Sequence, residues 1–383
     1  MTSIYLDNAA TTPFRIEVRD AMAPFQTDSW GNPSSVHRRG IAAREAVSRA
    51  RAQVARAVGA RPERVIFTSG GTEANNLALF GFALASGERS GAIWIGPTEH
   101  ASVRACADAL GRDGFDVARG ALDKTGSIDL EQLGTTLSAK TRLVVQMLVS
   151  NEFGTVYPTA RIASVLRARS PKALLHVDAV QAIGKLAISM TEIGADSLSL
   201  SAHKIGGPQG AGALVLARDL PLRPLIFGGG QERGQRSGTE NLAGIVGFGC
   251  AIELAAKEQA QTLETLQTRR EQLLEGLTKI KGVSCLQFGA ETSQQPSILS
   301  LMVSGAPAEV WLHHLDSRGV IVSVGSACQA NKKEVSPVLF AAGLSIEESR
   351  RVLRLSLSGQ TSQEEVQRSI EIMGEVASEL ATL

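Results

Sequence analysis

The chain has 383 residues, 43% of them hydrophobic, and its 39 Lys and Arg side chains nearly balance 38 Asp and Glu. A chain of this kind can bury a sizeable core, either in two to three domains or in one large α/β domain with an appendage. The formal net charge of +1 gives no field that would indicate a nucleic acid or an anionic membrane as partner.

The four cysteines (Cys106, Cys250, Cys285 and Cys328) have neither CxxC spacing nor a dense framework. This pattern argues against a disulfide scaffold and a zinc site, and we expect no metal. It favours a reducing compartment, here the cytoplasm. The longest apolar run, residues 242–252, is too short for a membrane span, and the N-terminal sequence has no pattern of a signal peptide.

Helical and β-rich patterns alternate along the first 255 residues. A helix is predicted over 36–58, a strand over 64–68, and a helix over 73–82. Five further short apolar runs are strand candidates, at 92–95, 141–149, 173–177, 197–200 and 211–216. Nearly continuous apolar runs are typical of strands buried on both faces of a parallel sheet. The first part of the chain therefore predicts an α/β fold with a mostly parallel sheet.

The pattern changes after about residue 255. A long polar helix is predicted over 257–281 and a terminal helix over 363–380. Between them lie four shorter strand candidates, at 283–288, 298–303, 320–324 and 352–357. This alternation of short strands and flanking helices predicts a second, smaller α+β domain.

A glycine pair follows the strand predicted over 64–68 and precedes a helix, in the sequence FTSGGTEANN at 67–76. Backbone N–H groups at such a helix N-terminus, together with the Thr72 hydroxyl, can bind a phosphate. The alternative is an ordinary strand–helix turn with Thr72 as its cap. The absence of a Walker motif and of a G-x-G-x-x-G fingerprint argues against ATP and NAD.

Two polar motifs, HVDAVQ at 176–181 and SLSAHK at 199–204, each follow a predicted strand, where ligand sites of α/β proteins form. Asp178 alone could be a helix N-cap. Lys204 before a Gly-Gly-Pro turn is well placed for a Schiff base. A pyridoxal phosphate (PLP) site needs such a lysine, an acid for the pyridinium nitrogen, a group on the ring face and a phosphate site. Lys204, Asp178, His100 and the Thr72 loop are candidates for these four roles.

Nine motifs resemble those of cysteine desulfurases, which belong to the class V branch of the fold-type I PLP enzymes. They occur in order from residue 5 to residue 328, and the resemblance extends to about residue 359. The motifs are YLDNAATTP (5–13), GNPSSVH (31–37), TSGGTE (68–73), EH (99–100), NEFG (151–154), HVDAVQ (176–181), SAHK (201–204), GGGQERGQRSGTEN (228–241) and GSAC (325–328). The resemblance implies a large PLP-binding domain at 15–255 and a small domain at 1–14 and 256–383 that carries Cys328.

The same resemblance implies roles for individual residues. Lys204 would bind PLP and shuttle the substrate Cα proton, and Asp178 would pair with the pyridinium nitrogen. Gln181 would hydrogen-bond the phenolate oxygen. His100 would stack on the ring and take part in proton transfer, a role suited to a near-neutral pKa. Without its EH motif, His100 would be interpreted as a polar loop histidine.

The resemblance further implies a phosphate site formed by Gly71, Thr72, Ser201 and His203. Thr239 would reach the phosphate of a partner subunit, which implies a homodimer. Asn151 and Arg354 would bind the substrate carboxylate, because the planar fork of an arginine suits that group. Arg354 lies close to Arg350 and Arg351 in sequence, so a solvated basic helix end is the alternative.

Cys328 is the nucleophile that the resemblance implies. It lies in a small, polar stretch beside Lys332 and Lys333, and exposure there would favour the thiolate. The other three cysteines have apolar neighbours and are predicted to be core residues. Two positions depart from the family pattern, namely Ser150, where a second Asn is common, and the residues QANKK after Cys328. These residues leave open which acceptor protein takes the sulfur.

The implied reaction converts L-cysteine to L-alanine and leaves sulfur on Cys328 as a persulfide. An iron–sulfur scaffold or another sulfur-acceptor protein would then take it for cluster or thio-cofactor synthesis. Selenocysteine lyase or another class V PLP enzyme is the alternative within enzymes, and turnover that does not need Cys328 would favour it. A non-catalytic sulfur-relay scaffold is the alternative of a different class, but such a protein need not keep Lys204, Asp178, His100 and Cys328.

Overall fold

The structure is a computed structural model that describes residues 3–286, 293–324 and 336–381. Its strands are β1 (Ile4–Tyr5), β2 (Val65–Thr68), β3 (Ala92–Ile95), β4 (Asp116–Arg119), β5 (Thr141–Met147), β6 (Leu174–Asp178), β7 (Ser197–Ser201), β8 (Gly212–Leu216), β9 (Val283–Leu286), β10 (Ile298–Val303), β11 (Val320–Ile321), β12 (Ser323–Val324) and β13 (Val352–Ser356). Its helices are α1 (Ile16–Gln26), α2 (Arg38–Ala57), α3 (Gly71–Ala83), α4 (Ala101–Arg112), α5 (Leu130–Thr136), α6 (Thr159–Arg169), α7 (Leu242–Lys257), α8 (Gln259–Leu277), α9 (Ala308–Ser317), α10 (Pro337–Ala341), α11 (Ile346–Ser349) and α12 (Gln363–Leu380).

The larger sheet has seven strands in the order β2-β8-β7-β6-β5-β3-β4. Neighbouring strands from β7 to β4 pair in parallel, whereas β8 is antiparallel to both β7 and β2. Parallel strands need crossover connections, and α4, α5 and α6 lie between consecutive parallel strands in the chain. The prediction of an α/β fold with a mostly parallel sheet is confirmed.

Side chains of this sheet alternate between two helical layers. On β2, Val65 and Phe67 pack into one cluster and Ile66 into the other. Trp94 on β3 belongs to the first cluster, between Ile93 and Ile95 of the second. Successive side chains of a strand point to opposite faces, so both faces are covered and the strands read as continuous apolar runs.

The second sheet has four antiparallel strands in the order β12-β13-β10-β9. Helices α8, α9 and α12 contribute to its apolar cluster, which also takes in Ile4 and Leu6 from the start of the chain. Strand β1 pairs in parallel with β11, and Asp7 forms a parallel bridge with Ser356. The N-terminal segment therefore packs with the last third of the chain.

The helix predicted over 257–281 is shorter than expected, because α7 extends to Lys257 and α8 covers only Gln259–Leu277. The strand predicted over 320–324 is two strands, β11 and β12, on either side of Val322. The terminal helix has the predicted bounds, and a capping box between Ser362 and Glu365 fixes its start. The domain limits at residues 14 and 255 stay a prediction.

Among the residues that the structure describes, no helix is long and apolar enough to cross a membrane. The three cysteines in this part of the chain are free thiols. Cys106 is buried, and burial raises the pKa of its thiol to about 12. Cys250 and Cys285 are only partly buried at the edges of apolar clusters, so they are less enclosed than the sequence suggested.

Candidate active site

A cavity of about 320 Å³ lies where β5, β6 and β7 end. Its lining includes ten of the residues that the sequence singled out, namely Gly71, Thr72, His100, Asn151, Asp178, Gln181, Ser201, His203, Lys204 and Arg354. The carboxyl ends of parallel strands are where ligands bind in open α/β sheets. Arg354 comes from β13 of the second sheet, and Arg350 and Arg351 are not among the lining residues.

One wall of the cavity is the start of helix α3. Gly70 before it has a φ of 154°, which L side chains rarely adopt, and a Cβ at Gly71 would lie 2.7 Å from Val180 Cγ2. Only glycine therefore fits both positions, and the backbone N–H groups of the first turn stay accessible. Ser201, at the end of β7, is 1% exposed, and its Oγ has no hydrogen-bond partner among the described residues.

Lys204 lies in a short 3₁₀ turn, Ala202–Lys204, directly after β7. Its Nζ donates to the backbone oxygens of Ala9 (2.5 Å) and Ala10 (2.7 Å). The turn is tied to the N-terminal segment a second time, because Thr12 Oγ1 donates to the His203 carbonyl at 2.8 Å. The amine is therefore placed inside the cavity, where the first dozen residues of the chain meet the large sheet.

Asp178 ends strand β6 and is 6% exposed. Its Oδ1 accepts the backbone N–H of Val180 at 3.0 Å, and its Oδ2 accepts Asn75 Nδ2 at 2.7 Å. Gln181 Nε2 donates to Ala9 O at 2.9 Å, and Gln181 Oε1 accepts Lys185 Nζ at 3.4 Å. The carboxylate and the amide are thus both held by neighbours before any ligand binds.

His100 is the N-cap of helix α4, and its Nδ1 accepts the backbone N–H of Ser102 at 3.1 Å. Burial lowers its pKa below the usual 6.5, and the nearby positive charges of Lys204 and Arg104 lower it further. The negative charge of Asp178 acts in the opposite direction. At neutral pH this imidazole is therefore mainly uncharged.

The opposite end of the cavity is built around Arg354. Its Nη2 donates to Asp7 Oδ1 at 2.8 Å and its Nη1 to the Asn151 carbonyl at 3.0 Å. The guanidinium is 6% exposed as a side chain. In the described part of the chain, Arg354 Nε and Asn151 Oδ1 have no partner. The two predicted carboxylate-binding residues thus lie side by side.

Sequence reasoning missed several residues that line the cavity or support it. Asp7, which pairs with Arg354, stands in the first motif and could have been singled out there. Two buried acids, Glu99 and Glu152, also line the cavity. Burial raises the pKa of Glu99 to about 8 and that of Glu152 to about 7. Ser336 Oγ lies 2.7 and 2.9 Å from the two Glu152 carboxylate oxygens.

Three further positions complete the comparison with the sequence. Ser150 accepts the backbone N–H groups of Glu152 and Phe153, so its hydroxyl stabilises the turn after β5. Thr239 is exposed and is not among the lining residues. Cys328 lies outside the described residues. In the part of the chain that is described, no group of three or more His, Cys, Asp or Glu side chains could hold a metal ion.

The family model of class-V aminotransferases matches residues 4–368. The chain belongs to this family. A curated relative from Dictyoglomus turgidum, named cysteine desulfurase IscS, is 37% identical over 99% of the chain and 96% of its own length. The resemblance to cysteine desulfurases that the motifs indicated is therefore confirmed.

Two solved structures are similar in fold over nearly the whole chain. A protein described as NifS-like has a TM-score of 0.92 at 34% identity, and the match covers 98% of this chain and all of its own. A second structure, of SspA in complex with cysteine, has a TM-score of 0.82 at 33% identity, and the match covers 94% of this chain and all of its own. The class V expectation for the fold is confirmed.

Proposed function

We propose that this class V enzyme is a PLP-dependent cysteine desulfurase, a sulfurtransferase that converts L-cysteine to L-alanine and transfers the sulfur to Cys328. The observation that carries the proposal is one cavity that combines Lys204, Asp178 and His100 with an anion site at one end and an arginine at the other. A non-catalytic scaffold would not need this set of charged groups in one place.

The residues around the α3 N-terminus fit the phosphate of PLP. The first turn of α3 offers backbone N–H groups, and Gly71 and Thr72 at its start line the cavity. Ser201 Oγ is buried and unpartnered within the described chain, as expected of a hydroxyl that donates to a ligand. Thr72 and His203 line the same cavity. Gly71, Thr72, Ser201 and His203 would together hold the phosphate.

PLP, when bound, supplies an electron sink that stabilises negative charge at the substrate Cα. Lys204 is the amine that lines this cavity beside the N-terminal segment, and it would bind the cofactor and move the Cα proton at its Nζ. Asp178, fixed by Asn75 and Val180, would pair its carboxylate with the pyridinium nitrogen. Gln181, held by Ala9 and Lys185, would donate its remaining amide hydrogen to the phenolate oxygen.

The substrate carboxylate would bind to Arg354 and Asn151. Asp7 and the Asn151 carbonyl hold the guanidinium in place, and its Nε–H is left to donate to a ligand. A bidentate pair of arginine with carboxylate fixes the orientation of an amino acid. The similar structure of SspA in complex with cysteine supports cysteine as the substrate.

In the sulfur step, the sulfur atom of the substrate is transferred to Cys328. The Cys328 thiolate attacks the cysteine sulfur, an S–S bond forms, and the Cβ–S bond breaks with its electron pair going to Cβ. Protonation of Cβ gives alanine, so that L-cysteine and one thiol yield L-alanine and one persulfide. The persulfide sulfur then passes to an acceptor protein, which we propose is an iron–sulfur scaffold or another sulfur acceptor. A cytoplasmic location likewise stays a prediction.

A homodimer is supported by exposed apolar side chains near Thr239. Ile226 is 41% and Phe227 72% exposed in the single chain, and adjacent exposed apolar side chains are unusual for a surface that faces only water. The backbone N–H of Ser237 bonds to Ile226 O, so the Thr239 segment adjoins this apolar surface. We propose that a second copy covers it and that Thr239 reaches the partner's phosphate site.

The test is alanine and persulfide production from L-cysteine by the purified full chain with PLP. Cys328→Ser should still bind PLP and cysteine but should lose at least about 100-fold of its alanine formation, because the nucleophile is gone. Cys250→Ser is the matched control, since Cys250 is a partly buried thiol outside the cavity. Full activity of Cys328→Ser, or equal turnover of selenocysteine without Cys328, would contradict the proposal.

A further inference from the structure

Asn75, on helix α3, lies at the centre of a chain of buried hydrogen bonds between Asp178 and His100. Its Nδ2 donates to Asp178 Oδ2 at 2.7 Å and to Ser102 Oγ at 2.9 Å. Its Oδ1 lies 3.0 Å from His176 Nε2. The side chain is 1% exposed, and both amide hydrogens and the carbonyl oxygen have partners.

The His100 end of this chain fixes the positions of the protons. His100 Nδ1 accepts the backbone N–H of Ser102 at 3.1 Å, so this nitrogen carries no proton. Ser102 Oγ, 2.8 Å from the same nitrogen, must then donate its hydroxyl hydrogen to it. The hydroxyl oxygen is thereby free to accept from Asn75. The neutral imidazole of His100 therefore carries its proton on Nε2.

The Asp178 end of the chain independently gives the same orientation of the Asn75 amide. The Asp178 carboxylate only accepts hydrogen bonds, so it requires the amide nitrogen of Asn75 on its side. Asn75 Oδ1 then faces His176 Nε2, which must carry the proton, and Ser197 Oγ donates to His176 Nδ1 at 2.8 Å. Burial lowers the pKa of His176 to about 4, so the ring is neutral as this arrangement requires. Both ends demand one orientation of the Asn75 amide.

We propose that Asn75 is a positioning residue which, through Ser102, holds His100 in the neutral tautomer with its proton on Nε2 and couples that ring to the charge on Asp178. The consequence for turnover rests on the proposed function. A proton added to His100 would have to go to Nδ1, where it would displace two donated hydrogen bonds. His100 therefore offers the cavity a proton donor and resists becoming an imidazolium.

The charged groups around His100 come from three elements. Asp178 ends β6 and favours the imidazolium, whereas Lys204 after β7 and Arg104 on α4 disfavour it. Asn75 bonds directly to the one group that favours protonation. Loss of the amide would free the Ser102 hydroxyl to accept from a protonated Nδ1. Each net hydrogen bond contributes roughly 1 kcal/mol, which corresponds to about one pH unit in a pKa.

The experiment is ¹⁵N nuclear magnetic resonance of the full-length, PLP-loaded enzyme labelled at histidine. The chain has 6 histidines, and the signal that is lost in His100→Gln identifies His100. The wild type should show a protonated Nε2 and an unprotonated Nδ1. In Asn75→Ala and Ser102→Ala the pKa of His100 should rise by about one pH unit. The acidic limb of the kcat/KM profile for cysteine should move in the same direction.

Two further variants separate positioning from a general structural effect. Ser102→Thr keeps a hydroxyl and should retain a His100 pKa close to that of the wild type. Ser369→Ala removes another buried helical hydroxyl, on the distant helix α12, and should leave the His100 signal unchanged. If Asn75→Ala does not fold, the two Ser102 variants decide the question.

A wild-type His100 with its proton on Nδ1 would overturn the proposal, as would an unchanged pKa in the alanine variants. Wild-type protein that gives the expected resonances but makes no alanine from cysteine would instead overturn the proposed function. In that case the hydrogen-bond assignment itself would remain supported.

Discussion

The cavity has two kinds of wall, and they differ in how completely their polar atoms are paired. On the wall formed by α3, α4 and β6, the side-chain polar atoms of Asn75, Ser102 and Asp178 all have protein partners. On the walls at Ser201, Asn151 and Arg354, each residue has a buried polar atom without a partner among the described residues. Buried polar groups are nearly always paired, so an unpaired atom of a residue that lines the cavity is available to a ligand.

The two kinds of wall therefore have different roles in the site. The paired wall is preorganised, because its side chains are locked by each other and need no rearrangement when a ligand arrives. On the unpaired walls, Ser201 Oγ and Arg354 Nε are donors that a phosphate and a carboxylate would satisfy. Substitution on an unpaired wall should therefore weaken ligand binding, whereas substitution on the paired wall should change protonation. Variants of Arg354, Ser201 and Glu99 test this division, in order of decreasing expected effect.

Arg354→Ala should lower kcat/KM for L-cysteine by about 100-fold, mainly through a higher KM, because a charged partner of the substrate carboxylate is lost. Steady-state kinetics of alanine formation measure this. Arg350→Ala is the matched control, since Arg350 is exposed and does not line the cavity. Arg354→Lys keeps the charge without the fork and should give an intermediate value.

Arg354 also pairs with Asp7, so its loss affects stability as well as binding. Thermal unfolding of the same variants would separate the two effects, and Asp7→Asn removes the ion pair while leaving the guanidinium in place. A kcat/KM for Arg354→Ala within twofold of the wild type would show that the carboxylate binds elsewhere.

Ser201→Ala should weaken PLP binding by about tenfold, because one hydrogen bond to the phosphate is removed. The apparent dissociation constant follows from an absorbance titration of the cofactor-free protein. Ser199→Ala is the matched control. Ser199 lies two residues earlier on β7, and its Oγ is likewise buried and unpartnered in the described chain. Unlike Ser201, it does not line the cavity. An equal loss in Ser199→Ala would mean that the effect is one of packing.

The sequence predicted the parts of this comparison that depend on local pattern. Strand ends marked by apolar runs located Asp178 and Lys204, and the glycine pair located the start of α3. The pairing of Arg354 with Asp7 joins residues 347 positions apart, and the bond from Asn75 to Asp178 spans 103. No local pattern specifies such contacts, since they follow from how the strands and helices pack. Burial of Glu99 likewise could not be read from its neighbours in sequence.

Glu99, which precedes His100 beside the paired wall, provides the smallest expected effect. Its Oε1 accepts the Met147 backbone N–H at 2.6 Å, but Oε2 has no partner in the described chain, and neither does Gln146 Oε1. A methyl group at Gly96 would touch both side chains, so they lie close together. In Glu99→Gln the amide oxygen keeps the bond from Met147, and the group can no longer ionise.

The sign of the pH dependence follows from the raised pKa of Glu99, about 8 when folded against an ordinary 4.5. Between these values the folded protein binds the extra proton, so wild-type stability falls as the pH rises. Glu99→Gln has no such group, and its stability relative to the wild type should increase by about 1 kcal/mol from pH 6 to pH 7. Urea unfolding at both pH values, with the exposed Glu271→Gln as control, measures this difference. A gap between Glu99→Gln and the wild type that does not change with pH would mean that the carboxyl is already ionised at pH 6, and the wall would then hold a compensating charge near Glu99.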